Sequence, residues 1–540
     1  MTGAHSGADL HPWRPVSSES DALSLVIKGA RIIDGTGAAS RIGDVGILGD
    51  RIVAVGESVD LPAQRVVEAE GRVLCPGFID LHSHVDLLVD RFPRADGMLH
   101  QGATTLVTGN CGLSPFPVRA GASGWRSLSE FATALRQLPL AVNIAPLVGH
   151  GAIRSAVMDD PGAVATDAEV ERMAALTDCA MRDGAHGMST GLIYDPGRFS
   201  TTEELIALAK VVAQHGGFYA SHLRNEEDRL VQSVDEALTI GREAGVPVQV
   251  SHHKAKRRRN WGSVHTTLRM IDDAVERGVQ VMLDNYPYTA SSTGLWAYLP
   301  RWARQDDLLS FGGDLPSELR ARLVAGMEER FPGCSSQEPV TTDLNALVIA
   351  HVEVPGHYSQ YEDMWLGDAV LKEGTTQADF VIDILLAGRA VQIIDHAMSD
   401  DDMRVVFSHP LCGVGSDARL IHPDIPGVPH PRNFGTFPRF LATMAPDLMS
   451  LEEAIRRCTG LPSHRLGWTD VRGLVLPGMA ADLLLFAPER LADHSTFEDP
   501  KHYSTGFDLV IVNGRIVIEA DLDTSVSAGR VLLTEQAGGA

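Results

Sequence analysis

The chain has 540 residues, of which 44% are hydrophobic and 21% are charged, a composition typical of a folded globular protein. Its formal net charge of −24 argues against a nucleic-acid or anionic-membrane partner, because both are bound by clustered Lys and Arg. Six scattered cysteines without framework spacing indicate a reduced protein, and with no signal sequence or long apolar run we expect a cytoplasmic location.

Two β-patterned segments lie at opposite ends of the chain. After a polar tail at residues 1–22, which we expect to be flexible, short alternating strands separated by glycine turns occupy residues 23–75. The same strand-like pattern recurs within residues 469–530, in ADLLLFAP and FDLVIVNGRIVIEA. We therefore predict that the two segments pair into one small β-sandwich domain.

Strand-like and helix-like segments alternate over residues 76–468. Eight strand cores are visible, in FIDLHSH, TTLVTGN, AVNIAPLVG, HGMSTGL, FYASHL, PVQVSHH, QVMLDNYPY and CGVGSD. This alternation predicts an α/β fold, a (β/α)8 TIM-like barrel with its functional groups at the C-terminal ends of the strands. The long segment before the last strand, about residues 296–400, is predicted to be an insertion that covers the site.

The first predicted barrel strand ends in a histidine pair. His82 and His84 are two residues apart, so in a strand both side chains project from one face into the barrel mouth. Two adjacent imidazoles are typical of a metal site, and the plainer alternative is two buried, hydrogen-bonded histidines. The preceding Pro-Gly-Phe-Ile-Asp favours the metal site.

Four further donors follow other predicted strands. Cys111 follows the second strand, His222 ends the fifth, His252 ends the sixth, and Asp417 ends the eighth. Each one alone is weak evidence, because buried cysteines are common and single histidines usually satisfy local hydrogen bonds. Together they direct N, S and O donors into one cavity, and imidazole with thiolate favours zinc over magnesium or calcium.

Several longer motifs resemble one family. PGFIDLHSHVD, GNCGLSPFP, MSTGLIYDPG, SHLRNE, VSHHKA, DNYPYTASSTG, GVGSDA and HPRNFGTFPRFL are similar to segments of the amidohydrolase superfamily. Within it, GNCG, SHLRNE and SHHK in that order resemble the D-aminoacylase (N-acyl-D-amino-acid deacylase) family. The resemblance extends from Leu23 to about Glu519.

The resemblance implies a role for each donor. One zinc is expected to be held tightly by Cys111, His222 and His252, and a second metal near the pair His82 and His84 is expected to be either more weakly bound or absent. A zinc-activated water would attack the amide. Asp417 matches the catalytic carboxylate, which takes the water's proton and returns it to the leaving nitrogen. Cys111 as a nucleophile is the less favoured alternative.

The expected substrate is a small N-acyl-D-amino acid. The resemblance implies that Lys254 and Tyr286 contact its α-carboxylate, as an ammonium and a hydroxyl donor are suited to do. The alternatives are a surface lysine and a packed aromatic ring. The sequence leaves the preferred side chain, the acyl group and the oligomeric state open.

Three features depart from the family motifs or lie between them. The basic run Lys256–Arg259 is interpreted as a solvated loop in preference to an anion contact. Ala418 stands where the family often has glycine, and Arg301 adds a cation at the start of the insertion, which favours an acidic acyl group or side chain.

Two other functions compete with the deacylase. A cyclic-amide hydrolase of the hydantoinase or dihydroorotase kind shares the histidines and the aspartate, but it usually carries a carboxylated lysine after the fourth strand. Here HGMSTGLIYDPG has no lysine and Cys111 takes that place. A catalytically inactive oligomeric scaffold is disfavoured because such proteins lose metal ligands, whereas every expected ligand is present.

Overall fold

The computed structural model describes residues 22–119, 121–303, 308–311, 315–336, 343–419 and 422–534. Apart from Ala22, the predicted tail lies outside this range. Among the helices described, none combines the length and apolar character needed to cross a membrane.

Eight parallel strand segments form the central barrel, as the alternating pattern predicts. They run as Phe78–Asp80 with Ser83–His84, Ala103–Thr108, Asn143–Pro146 with Val148–Gly149, Gly187–Gly191, Phe218–His222, Val248–Val250, Val281–Asn285 and Cys412–Val414. Consecutive strands pair in parallel from the first to the third and from the third to the eighth. The barrel closes because Ala418–Arg419, just beyond the eighth strand, pairs in parallel with Ser83–His84.

Helices alternate with these strands on the outside of the barrel. They are Asp96–Leu99, Leu128–Leu135, His150–Val157, Asp167–Arg182, Thr202–Gln214, Leu230–Ala244, Val264–Glu276, Asp400–Ser408, Arg432–Arg439, Ala445–Leu448, Leu451–Cys458 and Gly460–Arg465. Local sequence sets the ends of individual helices. Thr166 and Glu169 form a capping box at the start of Asp167–Arg182. Gly245, with φ of 67°, ends Leu230–Ala244. Their apolar faces pack on the strands in one large core.

Strands from the two chain ends share one sheet, whereas the predicted sandwich of these strands stays a prediction. The strands are Leu25–Ile32, Arg41–Leu48, Arg51–Gly56, Val66–Glu68 and Val73–Pro76 from the N-terminal part, and Leu483–Phe486, Phe507–Val512, Arg515–Glu519 and Leu522–Asp523 from the C-terminal part. Within the described range these strands form a single nine-stranded sheet. Val73–Pro76 pairs antiparallel with Leu483–Phe486 and so joins the two ends directly before the first barrel strand begins.

An inserted unit lies between the seventh and eighth barrel strands. Its three strands, Ser291–Gly294, Leu347–Val352 and Val391–Asp395, form an antiparallel sheet that begins before the predicted limit at residue 296. The helices Ser317–Arg330, Leu366–Glu373 and Gln377–Gly388 accompany this sheet, and the unit has its own apolar core. It is therefore a folded unit with a core of its own.

A buried ionic cluster ties this insertion to the barrel and corrects the interpretation of the basic run. Lys256 and Arg257 are buried, and Asp395 of the insertion accepts from them at 2.6 Å and 2.8 Å. The Tyr298 hydroxyl donates to the same carboxylate at 2.6 Å. The solvated-loop interpretation is thus wrong for these two residues, because a carboxylate distant in sequence neutralises them. It fits only Arg258 and Arg259, which are exposed.

Removing the shared carboxylate of this cluster should destabilise the protein. Asp395→Asn would leave two buried cations without their partner, and we expect a loss of about 3–5 kcal/mol in the free energy of unfolding. Denaturant unfolding followed by fluorescence measures this loss. Asp470→Asn, at an exposed aspartate, is the control. An equal stability of both variants would show that the cluster does not hold the insertion.

Candidate metal centre and active site

The histidine pair lies at the closing seam of the barrel. Ser83–His84 pairs with Ala418–Arg419, and the backbone N–H of His82 donates to Asp80 Oδ1 at 3.1 Å. Asp80 also accepts from the backbone N–H of Ser416 at 2.9 Å. The first and eighth strand ends are thereby locked together, and both imidazoles are buried beside Asp417.

Cys111 lies at the centre of the predicted donors. Its sulfur is 3.3 Å from His82 Nε2, 3.3 Å from His222 Nδ1 and 3.7 Å from His252 Nε2. The donor atoms form two overlapping groups, within each of which all atoms lie within 4.8 Å of one another. One group contains Cys111, His222 and His252, and the other contains His82, His84, Cys111 and Asp417. The structure thus brings together all six residues, with Cys111 shared by both groups.

This donor set fits a soft or borderline divalent cation. Burial raises the pKa of the Cys111 thiol well above its ordinary value and lowers the pKa of His82 and His222 well below theirs. Neutral imidazoles are the form that binds metal, and a cation would stabilise the buried thiolate. Tetrahedral sites of Cys and His are typical of zinc.

Three residues of the site adopt left-handed backbone conformations that non-glycine residues rarely use. The φ angles are 53° at Cys111, 34° at His252 and 51° at Asp417, each just beyond a barrel strand. Hydrogen bonds hold them: the N–H of His252 donates to Asp284 Oδ1 at 2.8 Å, and that of Asp417 to the His82 carbonyl at 2.7 Å. Such strained positions concentrate at functional sites, where they aim side chains inward.

Two supporting carboxylates were not assigned a role from the sequence. Glu226 Oε1 lies 3.2 Å from His252 Nδ1 and forms a short, buried ion pair with Lys254 Nζ. Asp284 contacts the backbone of His252 and lies 3.6 Å from His82 Nδ1. Carboxylates behind metal-binding histidines fix the orientation of the ring. The motifs SHLRNE and DNYPY contain both residues, and that was the only signal for them in the sequence.

Asp417 is held as an anion by its neighbours. Burial alone would raise the pKa of this carboxyl, but the charge of Arg432 and a hydrogen bond from His84 keep the pKa well below its usual value. Arg432 Nη1 lies 2.8 Å from Asp417 Oδ2, and His84 Nε2 lies 3.2 Å from Oδ1. An ionised carboxylate beside the metal-binding group is suited to accept a proton. The motif HPRNFGTFPRFL contains Arg432, but its sequence alone assigns this residue no role.

Lys254 and Tyr286, which are predicted to bind the substrate carboxylate, line an inner cavity together with His222, His252 and Asp417. Lys254 is only 4% exposed, which rules out the surface-lysine alternative, and its ammonium contacts Glu226, the His252 carbonyl and His252 Nδ1. Tyr286 is buried, with the Arg432 guanidinium 4.7 Å from its ring centre. Its hydroxyl donates a long hydrogen bond to Met398 Sδ at 3.9 Å. A contact of either residue with substrate stays a prediction.

A second, outer cavity of about 260 Å³ adjoins the inner one at Asp417. His84, Cys111 and Asp417 of the donor groups line it, and the insertion contributes further lining residues, including Trp296 and Gln392. The insertion therefore shapes the space for a ligand beside the donor groups.

Fold and site together define a class: a (β/α)8 barrel whose strand ends carry a buried His, Cys and Asp centre of metal-binding type. A family model described as the amidohydrolase family matches residues 65–308 and 379–518. The unmatched stretch, 309–378, falls within the insertion.

Two curated relatives extend over nearly the whole chain. The D-aminoacylase of Alcaligenes xylosoxydans xylosoxydans is 35% identical over 530 residues, which are 95% of this chain and 98% of that protein. The N-acyl-D-aspartate deacylase of the same organism is 36% identical over 524 residues, 94% of each chain.

Among solved structures, the N-acyl-D-glutamate deacylase of Bordetella bronchiseptica was crystallised with zinc and a phosphonate that mimics the tetrahedral intermediate of its reaction. It aligns with a TM-score of 0.80 at 34% identity and covers 95% of this chain and 100% of that one. The chain belongs to the amidohydrolase family and, within it, to the group of the D-aminoacylases.

The sharing of Cys111 by both donor groups gives a prediction for metal content. Cys111→Ala should remove all tightly bound metal, because it removes a ligand from each group. His84→Ala should leave the group of Cys111, His222 and His252 intact and retain one metal per chain. Elemental analysis after dialysis measures both, with Cys179→Ala as the control. Full metal content in Cys111→Ala would exclude a ligand role for this thiol.

Proposed function

We propose that this chain is a metal-dependent hydrolase that cleaves the linear amide of N-acyl-D-amino acids into a carboxylate and a free D-amino acid. The observation that carries the proposal is the buried centre around Cys111 in a chain that matches deacylases over nearly its full length. Nitrogen and sulfur donors favour zinc. One tightly held zinc belongs to Cys111, His222 and His252, and a weaker second site belongs to His82 and His84.

The chain's own residues divide the remaining work. Zinc, when bound, supplies a Lewis acid that polarises the acyl carbonyl and acidifies the attacking water. Asp417 accepts the proton of that water and then delivers it to the leaving nitrogen, which is a poor leaving group as an anion. Arg432 keeps Asp417 ionised beforehand and sets its orientation. Glu226 contacts the ring of His252 and Asp284 accepts from its backbone N–H. The two carboxylates therefore keep the imidazole directed at Cys111.

The inner cavity is proposed to receive the α-carboxylate of the substrate. Within the described residues the Tyr286 hydroxyl has one hydrogen-bond partner, the weak acceptor Met398 Sδ, so it can donate to an incoming carboxylate instead. Lys254 adds positive charge at the same cavity, although its ammonium already contacts Glu226 and His252. A direct bond from Lys254 to substrate therefore requires that one of these contacts is exchanged.

The cyclic-amide hydrolase has less support. The fourth barrel strand, Gly187–Gly191, has no lysine to carboxylate, and Cys111 occupies the position between the donor groups. The inactive scaffold has less support again, because all six expected donors are present and fall into two groups, within each of which the donor atoms lie within 4.8 Å of one another. A cytoplasmic location stays a prediction.

Stereochemical preference tests the substrate class. The metal-loaded protein is incubated with matched N-acetyl-D- and N-acetyl-L-amino acids, and the released amine is measured. We expect cleavage of D forms and little or none of the L forms. A metal-loaded protein that releases no amine from any of these compounds, and opens cyclic amides instead, would contradict the proposal.

The proton-transfer role of Asp417 predicts a loss of turnover without loss of the tight metal. Asp417→Asn removes the base but leaves Cys111, His222 and His252 unchanged, so kcat should fall by about 100- to 10,000-fold. Stopped assays with N-acetyl-D-amino acids and elemental analysis of the same samples measure both quantities. Turnover within a few-fold of the unmodified enzyme would remove Asp417 from the mechanism.

A further inference from the structure

The outer cavity has one arginine whose charge is not balanced. Asp417 pairs with Arg432 at 2.8 Å, and Asp195 pairs with Arg198. Arg419 lines the same cavity, and no carboxylate within the described residues forms an ion pair with it. The insertion wall contributes only neutral groups from its described part, such as Ser292, Thr293 and Gln392.

Backbone pairing and a hydrogen bond fix the position of Arg419. It pairs with His84 across the closing seam of the barrel, and its N–H donates to Asn433 Oδ1 at 2.8 Å. It follows Asp417 by two residues, so its Cα is anchored next to the reaction centre while its side chain is exposed. A guanidinium keeps its charge at every physiological pH and offers a planar pair of donors that matches a carboxylate.

The inner and outer cavities adjoin each other at Asp417. Lys254 and Tyr286 line the inner cavity, whereas Arg419 lines the outer one, and Asp417 belongs to both. A ligand whose amide lies at Asp417 can therefore place one carboxylate in each cavity. A substrate with only an α-carboxylate would leave Arg419 without a partner.

A neighbouring cavity is also rich in arginine. Six arginines line it, together with three carboxylates: Arg198, Arg224, Arg229, Arg259, Arg301, Arg330, Glu227, Asp228 and Glu329. It shares Ile193, Arg198 and Ala297 with the outer cavity. Three of these arginines pair with carboxylates outside the lining, namely Arg198 with Asp195, Arg224 with Glu236 and Arg259 with Asp343. Arg301 forms no ion pair within the described residues and is therefore the competing position for a substrate carboxylate.

We propose that Arg419 binds a side-chain carboxylate of the substrate, so that the preferred substrates are dicarboxylic N-acyl-D-amino acids, the aspartate and glutamate derivatives. The inference rests on the proposed deacylase function and adds the substrate class and the residue that selects it. Arg419 is a specificity residue and takes no part in the proton transfers of Asp417.

Isosteric substrate pairs test this role. The metal-loaded enzyme is assayed with N-acetyl-D-glutamate against N-acetyl-D-glutamine, and with N-acetyl-D-aspartate against N-acetyl-D-asparagine. We expect kcat/KM to favour the acid of at least one pair by about 10- to 100-fold, the range of a charge-assisted hydrogen bond. In Arg419→Gln this preference should disappear, mainly through KM, while kcat/KM for the amides stays unchanged.

Three further variants make the result specific. Arg419→Lys keeps the positive charge but lacks the planar guanidinium, so it should retain part of the preference for acids. A partial preference in this variant would show that its loss in Arg419→Gln does not result from misfolding. Arg277→Gln, at an exposed arginine on a helix end, should behave like the unmodified enzyme. Arg301→Gln tests the neighbouring cavity as the alternative position of the carboxylate.

The outcomes distinguish a failure of the role proposed for Arg419 from a failure of the proposed deacylase function. Release of amine from D substrates with equal kcat/KM for acids and amides would overturn the role of Arg419 and leave the deacylase function standing. Loss of the preference in Arg301→Gln but not in Arg419→Gln would also overturn it. No cleavage of any N-acyl-D-amino acid would overturn the deacylase function and the inference with it.

Discussion

The site depends on one constraint, the crowding of metal-binding side chains into a small volume where each of them is largely shielded from water. Burial pushes the Cys111 thiol toward its protonated form and the histidines His82 and His222 toward their neutral forms. A thiolate among neutral imidazoles is stable there only with a cation at its side. The left-handed backbone at the strand ends and the carboxylates behind the rings all act to maintain that arrangement.

The sequence contained enough information to predict the donors themselves. His82 and His84 share a strand face because side chains alternate, and Cys111, His222, His252 and Asp417 each follow a recognisable apolar strand. Parallel strands in a barrel bring their C-terminal ends to one mouth, so convergence follows from topology alone. The eight strands could be found for the same reason: buried parallel strands are short apolar runs between helical patterns.

Contacts that depend on side-chain conformation in two loops could not be predicted in the same way. Glu226 lies four residues after His222, and its pairing with Lys254 needs both side chains to turn toward His252. Lys256 and Arg257 looked like a solvated run because their partner is Asp395, which is 138 residues from Arg257. Charge patterning along a chain detects near neighbours, whereas burial of a charge is decided by a partner in space.

The same distinction applies to the charge of the whole molecule. A net charge of −24 would repel an anionic substrate at long range, but salt screens exposed charges beyond roughly 8 Å at physiological ionic strength. Inside a cavity, the nearest uncompensated groups therefore dominate the potential. Arg432 is neutralised by Asp417, which leaves Arg419 as the cation that an incoming carboxylate meets beside the reaction centre. An acidic protein can thus select an acidic substrate, because the local pairing of charges, and not their sum, determines which ligand is stable there.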